Sequence, residues 1–143
     1  MGIPSAPENN QQTVVSNFTV TADSTKPIMV ANGSIDIESV YAVFAANIAT
    51  HGTNSAVFSV LNSGTGGAGT TVVAGPNNFG VASDGGVAIT ANTPVAMTVV
   101  SAAKRLTHGQ LLGFEWNEAT TDVADATIAV SVRYTQVTPP TQG

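Results

Sequence analysis

Short runs in which apolar and polar residues alternate cover much of this chain. The clearest run spans residues 127–135 and directs one apolar set to a single face: Ile128, Val130, Val132 and Tyr134. Residues 110–117 alternate in the same way. A period of two is the signature of a β-strand with one buried face, so both segments are predicted to be strands.

The same pattern predicts about eight short strands in all. Their expected ranges are 12–22, 27–31, 35–45, 55–62, 70–74, 110–117 and 127–135, with 87–90 and 94–101 strand-like. Turn residues separate them at intervals that suit an antiparallel β-sandwich. Eight strands favour a jelly roll, so the predicted fold class is an all-β, eight-stranded jelly-roll sandwich.

The connections are also predicted from local chemistry. Asn32-Gly33 is expected to form a two-residue hairpin turn, because both residues tolerate positive φ. Residues 64–69 are expected to form a glycine-rich turn, residues 75–86 a long loop, and residues 102–106 one helical turn. From Val40 to Phe44 both faces of the strand are apolar, which predicts a fully buried strand or an interface.

Both ends of the chain differ from this β-rich middle. Residues 1–12 and 138–143 are polar and contain prolines, so we expect an N-terminal arm and a C-terminal tail around a single domain at residues 13–137. The ends either fray or lie along a neighbouring subunit. In the second case the capsid or subunit contacts are expected at Ile3, Pro4, Pro7, Asn9 and Gln11.

The composition narrows the classes of partner. Hydrophobic residues make up 43% of the chain and charged residues only 9%, against about 25% charged residues in an ordinary domain. The net charge of −5 argues against nucleic acid and against an anionic membrane. The chain has no cysteine, which excludes disulfides and cysteine–zinc sites, and no apolar run reaches the length of a membrane span.

Candidate catalytic residues are sparse. His51 and His108 are the two histidines, and no nucleophile-elbow motif accompanies them. Gly64, Gly66 and Gly69 match a dinucleotide fingerprint, but β-branched residues follow where that site needs a helix. We therefore expect no enzyme activity and no cofactor.

The acidic residues offer two weaker possibilities. Asp122 and Asp125, with Glu118, have the oxygen ligands that calcium prefers, although the EF-hand spacing is absent. Glu115 and Glu118 would suit glycoside hydrolysis if they faced each other across a cleft. Solvated loop acids are the simpler interpretation, and we expect no bound metal.

Phe114 and Trp116 share one face of a predicted strand. Such a pair is either part of the sandwich core or an exposed platform on which a sugar ring stacks. The core is the favoured interpretation, and the platform is the basis of the alternative function.

Three segments resemble the jelly-roll decoration (cement) proteins of tailed bacteriophage capsids: Gly33–Val43, Arg105–Leu112 and Ala126–Tyr134. The resemblance covers roughly residues 26–136. It implies a virion protein without catalytic activity that binds the major capsid protein on the capsid surface, is made in the host cytoplasm, and often forms a trimer.

The low charge independently favours self-association, because a domain with so few charges is poorly soluble when its whole surface meets water. The alternative function is a carbohydrate-binding β-sandwich for host adhesion, in a head fibre, a tail or a bacterial surface protein.

Overall fold

The structure is a computed structural model, and it describes residues 10–20, 23–48, 56–79, 88–118 and 126–137. Those residues are all β, with no helix among them. The nine strands are β1 Gln11–Val20, β2 Ser24–Val30, β3 Ile35–Phe44, β4 Ala56–Asn62, β5 Thr71–Phe79, β6 Val95–Met97, β7 Arg105–Leu106, β8 Leu111–Glu118 and β9 Ala126–Gln136.

The strands form two antiparallel sheets that face each other. Sheet A has the order β1-β9-β3-β6, with the two-residue β7 also paired to β3, and sheet B has the order β2-β8-β4-β5. The chain changes sheet at most connections, and only β4–β5 and β6–β7 follow each other within one sheet. Eight principal strands in these two interleaved orders make a jelly roll, which confirms the predicted fold class.

The core lies between the sheets and is centred on aromatic rings. Phe44 of sheet A packs on Phe58 and Trp116 of sheet B, with ring centroids 5.5 Å and 6.2 Å apart. Phe18 of β1 packs on Phe114 at 5.1 Å. These contacts tie the two sheets together, and they are possible because each ring sits at an inward position of an alternating strand.

The Asn32-Gly33 turn is a correction to the sequence prediction. Gly33 does have a positive φ of 76°, but β2 belongs to sheet B and β3 to sheet A, so the turn connects two sheets and forms no hairpin. His108 Nδ1 accepts a hydrogen bond from the Gly33 N–H at 3.1 Å, and the Ala31 N–H donates to the Gln110 carbonyl at 2.9 Å. The turn is therefore held by the segment that leads into β8.

Residues 75–86 are not a loop throughout. Strand β5 continues to Phe79 past a cis Gly75–Pro76 peptide bond, because irregularities in its pairing with β4 around Phe58 and Val60 absorb the extra residues.

The predicted helical turn at 102–106 is also wrong, since it ends in the short strand β7. Strand β6 is limited to Val95–Met97, and Ile89 makes only an isolated bridge to Ile48.

The two lateral sides of the sandwich are built differently. On the first, which we call the closed side, β5 of sheet B is hydrogen-bonded to the segment that follows β6 of sheet A. The Gly75 N–H donates to the Thr98 carbonyl at 2.9 Å, and the Val100 N–H donates to the Val73 carbonyl at 2.8 Å. Asn77 Nδ2 adds a bond to the Ala96 carbonyl at 3.3 Å.

On the other side, which we call the open side, β1 of sheet A lies beside β2 of sheet B. Among the described residues the hydrogen bond that crosses this side is from Ser16 Oγ to the Ile28 carbonyl, and it is long at 3.4 Å. The outer edge of β1 has no strand partner in the described part of the chain. Backbone hydrogen bonds thus join the two sheets along the closed side, whereas mainly apolar contacts hold them together along the open side.

Candidate interaction surface

The outer face of sheet A is the surface that stands out. Alternation directs one residue set of β1, β9 and β3 inward to the core, so the other set faces outward. We call the charge-free part of this outer face the uncharged face, and it consists of Val15, Asn17, Thr19, Tyr41, Val43, Pro94, Ala96, Thr127, Ala129 and Ser131. None of these residues is an Asp, Glu, Lys, Arg or His.

Its apolar members are exposed to an unusual degree. Val15 is 56% exposed and Tyr41 is 42% exposed, and they are two of the four large hydrophobic residues that are exposed in the described part of the chain. Strand pairing places Val15 beside Ser131, and Ser131 beside Tyr41. Tyr41, Val43, Pro94 and Ser131 line a shallow depression next to them. The result is a row across the sheet in which the apolar side chains of Val15 and Tyr41 lie on either side of the small, neutral Ser131, and we call this row and the depression beside it the apolar strip.

The charged residues of this sheet gather at one end of it. Arg105 Nε lies 2.5 Å from Asp36 Oδ1, and a second nitrogen of Arg105 lies 3.0 Å from Asp36 Oδ2. The hydrogen bond from Arg105 holds the pKa of the Asp36 carboxyl below its usual range. Arg133 donates to Gln11 Oε1, and Thr135 Oγ1 donates to Glu38 Oε1 at 3.0 Å. Asp36 and Arg105 compensate each other's charge, whereas Arg133 and Glu38 are hydrogen-bonded to neutral side chains, and all four lie outside the uncharged face.

Four of the residues predicted as contacts lie outside the described residues: Ile3, Pro4, Pro7 and Asn9. The fifth, Gln11, is the first residue of β1 and pairs with Thr135 of β9. Gln12 is also in β1, and its side chain accepts a hydrogen bond from the Tyr134 hydroxyl at 2.9 Å. The sheet therefore begins inside the segment that the sequence assigned to the arm.

Phe114 and Trp116 are both fully buried in the core. The indole Nε1 of Trp116 donates to Glu118 Oε1 at 3.1 Å, so its polar atom is satisfied inside the protein. Neither ring is available to a sugar, which removes the stacking platform on which the carbohydrate-binding alternative was based.

The candidate acids do not form a catalytic pair. Glu115 and Glu118 are three residues apart on β8, and residues an odd number apart on a strand point to opposite faces. Glu118 is engaged by Trp116, and its own N–H donates to Asp23 Oδ1 at 2.7 Å. Asp122 and Asp125 lie outside the described residues. Within the described part of the chain no group of three metal-ligating side chains comes together.

The glycine pattern at residues 64–69 and the two histidines are the remaining candidate motifs. Gly64 and Gly67 have positive φ and belong to the turn before β5, so the glycine pattern precedes a strand. His108 is exposed and bonds to Gly33 through Nδ1, whereas His51 lies outside the described residues.

The sequence prediction missed the uncharged face as a whole. One signal was visible, because the apolar residues on both faces of Val40–Phe44 predicted an interface or full burial. Val40, Ala42 and Phe44 face the core, while Tyr41 and Val43 face outward. The contribution of Val15 could not be foreseen, because it depends on β1 pairing with β9.

Comparison with known proteins adds little to this geometry. No protein-family model matches the chain, and no curated protein matches it. A solved structure of infectious bursal disease virus, Gt strain, aligns with 96% of this chain at 11% identity and a TM-score of 0.33. The chain spans 41% of that viral chain. No helix in the described ranges is long and apolar enough to cross a membrane.

Proposed function

We propose that this chain is a non-enzymatic structural protein of a virus particle, which binds and stabilises the outer surface of an assembled capsid as a decoration protein does. Its partners are the major capsid protein and further copies of itself, in the form of a homotrimer. It reaches the capsid from the host cytoplasm during assembly. The single observation that carries the proposal is the uncharged face of sheet A.

The physical reason is the low cost of covering such a face. A charged surface group that loses water on binding must find a partner, and the loss costs several kcal/mol otherwise. Thr, Ser, Asn and Ala side chains carry no net charge, and the strip from Val15 to Tyr41 gains from burial. Interfaces between proteins have this pattern of an apolar centre with a polar rim.

The fold supports the proposal by analogy alone. Jelly rolls are common in viral capsid domains and in lectins, and a fold does not by itself define a function. The lectin alternative required Phe114 and Trp116 to be exposed, and both are buried. The virion function needs no cleft and no reactive cluster.

The first test is binding to capsids. Purified chain would be mixed with particles assembled without it, and binding would be measured by co-sedimentation. Tyr41→Asp places a carboxylate in the apolar strip, and we expect it to weaken binding at least tenfold. The matched control is Asn117→Asp, which places the same charge at an exposed position of sheet B.

Retention of binding by Tyr41→Asp, or failure of the unmodified chain to sediment with particles, would contradict the proposal. Specific binding on a glycan array by a chain that ignores capsids would establish the carbohydrate-binding alternative instead.

The second test concerns the arm, which we propose adds capsid contacts through Ile3, Pro4, Pro7 and Asn9. The truncation should begin at Asn10, because the Asn10 carbonyl accepts a hydrogen bond from the Gln136 N–H at 3.0 Å and Gln11 is already in β1. We expect this shortened chain to melt at the same temperature and to bind capsids more weakly. Equal capsid affinity would show that the arm has no role in attachment.

A further inference from the structure

The edge strands of the two sheets are protected unequally. Strand β2 contains Lys26 and Pro27 and an irregularity in its pairing. Strand β5 contains Pro76 and is hydrogen-bonded to the segment after β6. Strand β6 is three residues long and follows Pro94. Charge, proline, bulges and short length are the usual means by which proteins prevent edge strands from pairing with other chains.

Strand β1 has none of these protections. It is ten residues long, contains no proline and no charged residue, and pairs with β9 without interruption. A strand of this length extends about 33 Å. Its regular pairing on one edge means that the opposite edge is regular too, so it is a template for another strand.

One contact determines which residues of β1 direct their backbone N–H and C=O groups toward the free edge. The Asn10 carbonyl accepts from the Gln136 N–H, which places the backbone groups of even-numbered β1 residues toward β9. In an antiparallel pair these groups alternate between the two edges. The free edge therefore presents the N–H and C=O groups of Gln11, Thr13, Val15, Asn17 and Thr19. No backbone hydrogen bond to these groups at this edge occurs among the described residues.

We propose that this edge pairs with the β1 edge of a second copy of the chain, antiparallel about a two-fold axis at Val15. The register pairs Val15 with its counterpart, Thr13 with Asn17, and Gln11 with Thr19. It forms two hydrogen bonds at each of five residue pairs, so the five free N–H groups on each copy are all satisfied. A shift by two residues on the partner leaves some of them unpaired.

The side chains agree with this register. The two-fold axis is perpendicular to the sheet, so the outer faces of both copies lie on the same side. No like charges meet, because β1 carries none. Val15, which is 56% exposed in one copy, packs against its counterpart, and the two apolar strips of sheet A join into one. This association does not depend on a capsid; where copies also form trimers, the pairing links neighbouring trimers.

The absence of cysteine allows a direct test by disulfide trapping. Opposed residues in a hydrogen-bonded antiparallel pair have Cα atoms about 5.5 Å apart, which lies within the range of a disulfide. We expect Val15→Cys to form a disulfide-linked dimer rapidly under mild oxidation. The matched control is Val30→Cys, which is equally exposed at 58% but lies on β2 of the other sheet.

The register is tested with two further single-cysteine variants. Thr13→Cys and Asn17→Cys should each crosslink slowly alone and rapidly when mixed, because each faces the other across the axis. Crosslinking of Val15→Cys no faster than Val30→Cys would overturn the proposal, and fast crosslinking of Thr13→Cys with itself would overturn the register.

A charge exchange gives an independent readout. Val15→Lys and Val15→Glu each place like charges together, so each should shift the mass measured by light scattering from the paired form to the unpaired form. Mixing the two should restore the paired form. If all three preparations have the same mass as the unmodified chain, β1 does not pair copies. Unchanged melting temperatures would show that both variants are folded.

Discussion

The closed side and the open side of this sandwich differ in how the edge strands of the two sheets are held together. On the closed side, backbone hydrogen bonds connect β5 to the segment after β6, so the edges of the two sheets satisfy each other. On the open side, β1 contacts β2 through the Ser16–Ile28 bond, and it contacts β8 of the same sheet as β2 through the packing of Phe18 on Phe114. Burial of a ring needs no particular backbone partner, which leaves the β1 edge regular and available.

This difference predicts that the stability of the domain and the association that we propose depend on different sides of the sandwich. On the closed side the backbone N–H and C=O groups form hydrogen bonds within the domain. Substitutions there should therefore lower the free energy of unfolding. The open side keeps its polar backbone groups at the surface, and substitutions there should change the contacts between molecules more than the stability of one molecule.

The largest effect is expected for Trp116→Ala, which removes a core ring that packs on Phe44 of sheet A and on Phe58 of sheet B. Loss of a large buried aromatic side chain costs about 3–5 kcal/mol, enough to unfold much of the protein. Thermal or urea unfolding measures it. A folded variant with nearly unchanged stability would mean that the aromatic cluster does not hold the sheets together.

The next effect is expected on the closed side, for Gly75→Ala. Gly75 has φ of 94°, and an added Cβ would lie 3.1 Å from the Phe58 carbonyl oxygen and 3.2 Å from Met97 Cε. A non-glycine residue in such a conformation costs about 1–3 kcal/mol.

The control is Gly66→Ala, where an added Cβ meets nothing within 4 Å and the unfolding free energy should be unchanged or slightly higher. Equal behaviour of the two variants would mean that the closed side does not depend on the backbone conformation and close packing at Gly75.

A smaller effect is expected for Asp36→Asn, which breaks the pair between β3 and β7 on the closed side. The pKa of Asp36 is lowered in the folded protein by Arg105, so the pair stabilises the fold above the unfolded-state pKa. That contribution is lost as pH falls below the ordinary aspartate range and through the lowered folded-state pKa.

The unmodified chain should therefore lose stability in acid more steeply than Asp36→Asn, and salt should reduce the gap between them at neutral pH. Parallel pH profiles for the two proteins would show that the pair contributes nothing.

The smallest effect is expected on the open side, for Ser16→Ala. The hydrogen bond to Ile28 is long, so its loss should change the unfolding free energy by less than about 0.5 kcal/mol. Urea unfolding monitored by Trp116 fluorescence is precise enough to compare it with Gly75→Ala. A loss comparable to that of Gly75→Ala would mean that the open side is also held by its polar groups.

Alternation in the sequence determined the strands and their inward faces. Residues 127–135 and 110–117 became β9 and β8 nearly as predicted, because each carries an uninterrupted period of two with large apolar residues on one face. The burial of Trp116 followed from the same pattern. The jelly roll itself was predictable as a class, because about eight short strands between turns leave few ways to bury all the apolar faces.

Only the tertiary structure decided which strands became neighbours. Asn32-Gly33 has the same local requirement for positive φ in a hairpin and in a change of sheet, so the residues alone could not distinguish them. Gly75 and Pro76 signal a loop locally, yet the strand continues through them because a bulge absorbs them. The open β1 edge and the uncharged face likewise arise from pairing between segments over a hundred residues apart in the chain, such as Val15 with Ser131. Local residue pattern fixes the direction of each side chain relative to its own strand, whereas an edge or a face is a property of several strands together.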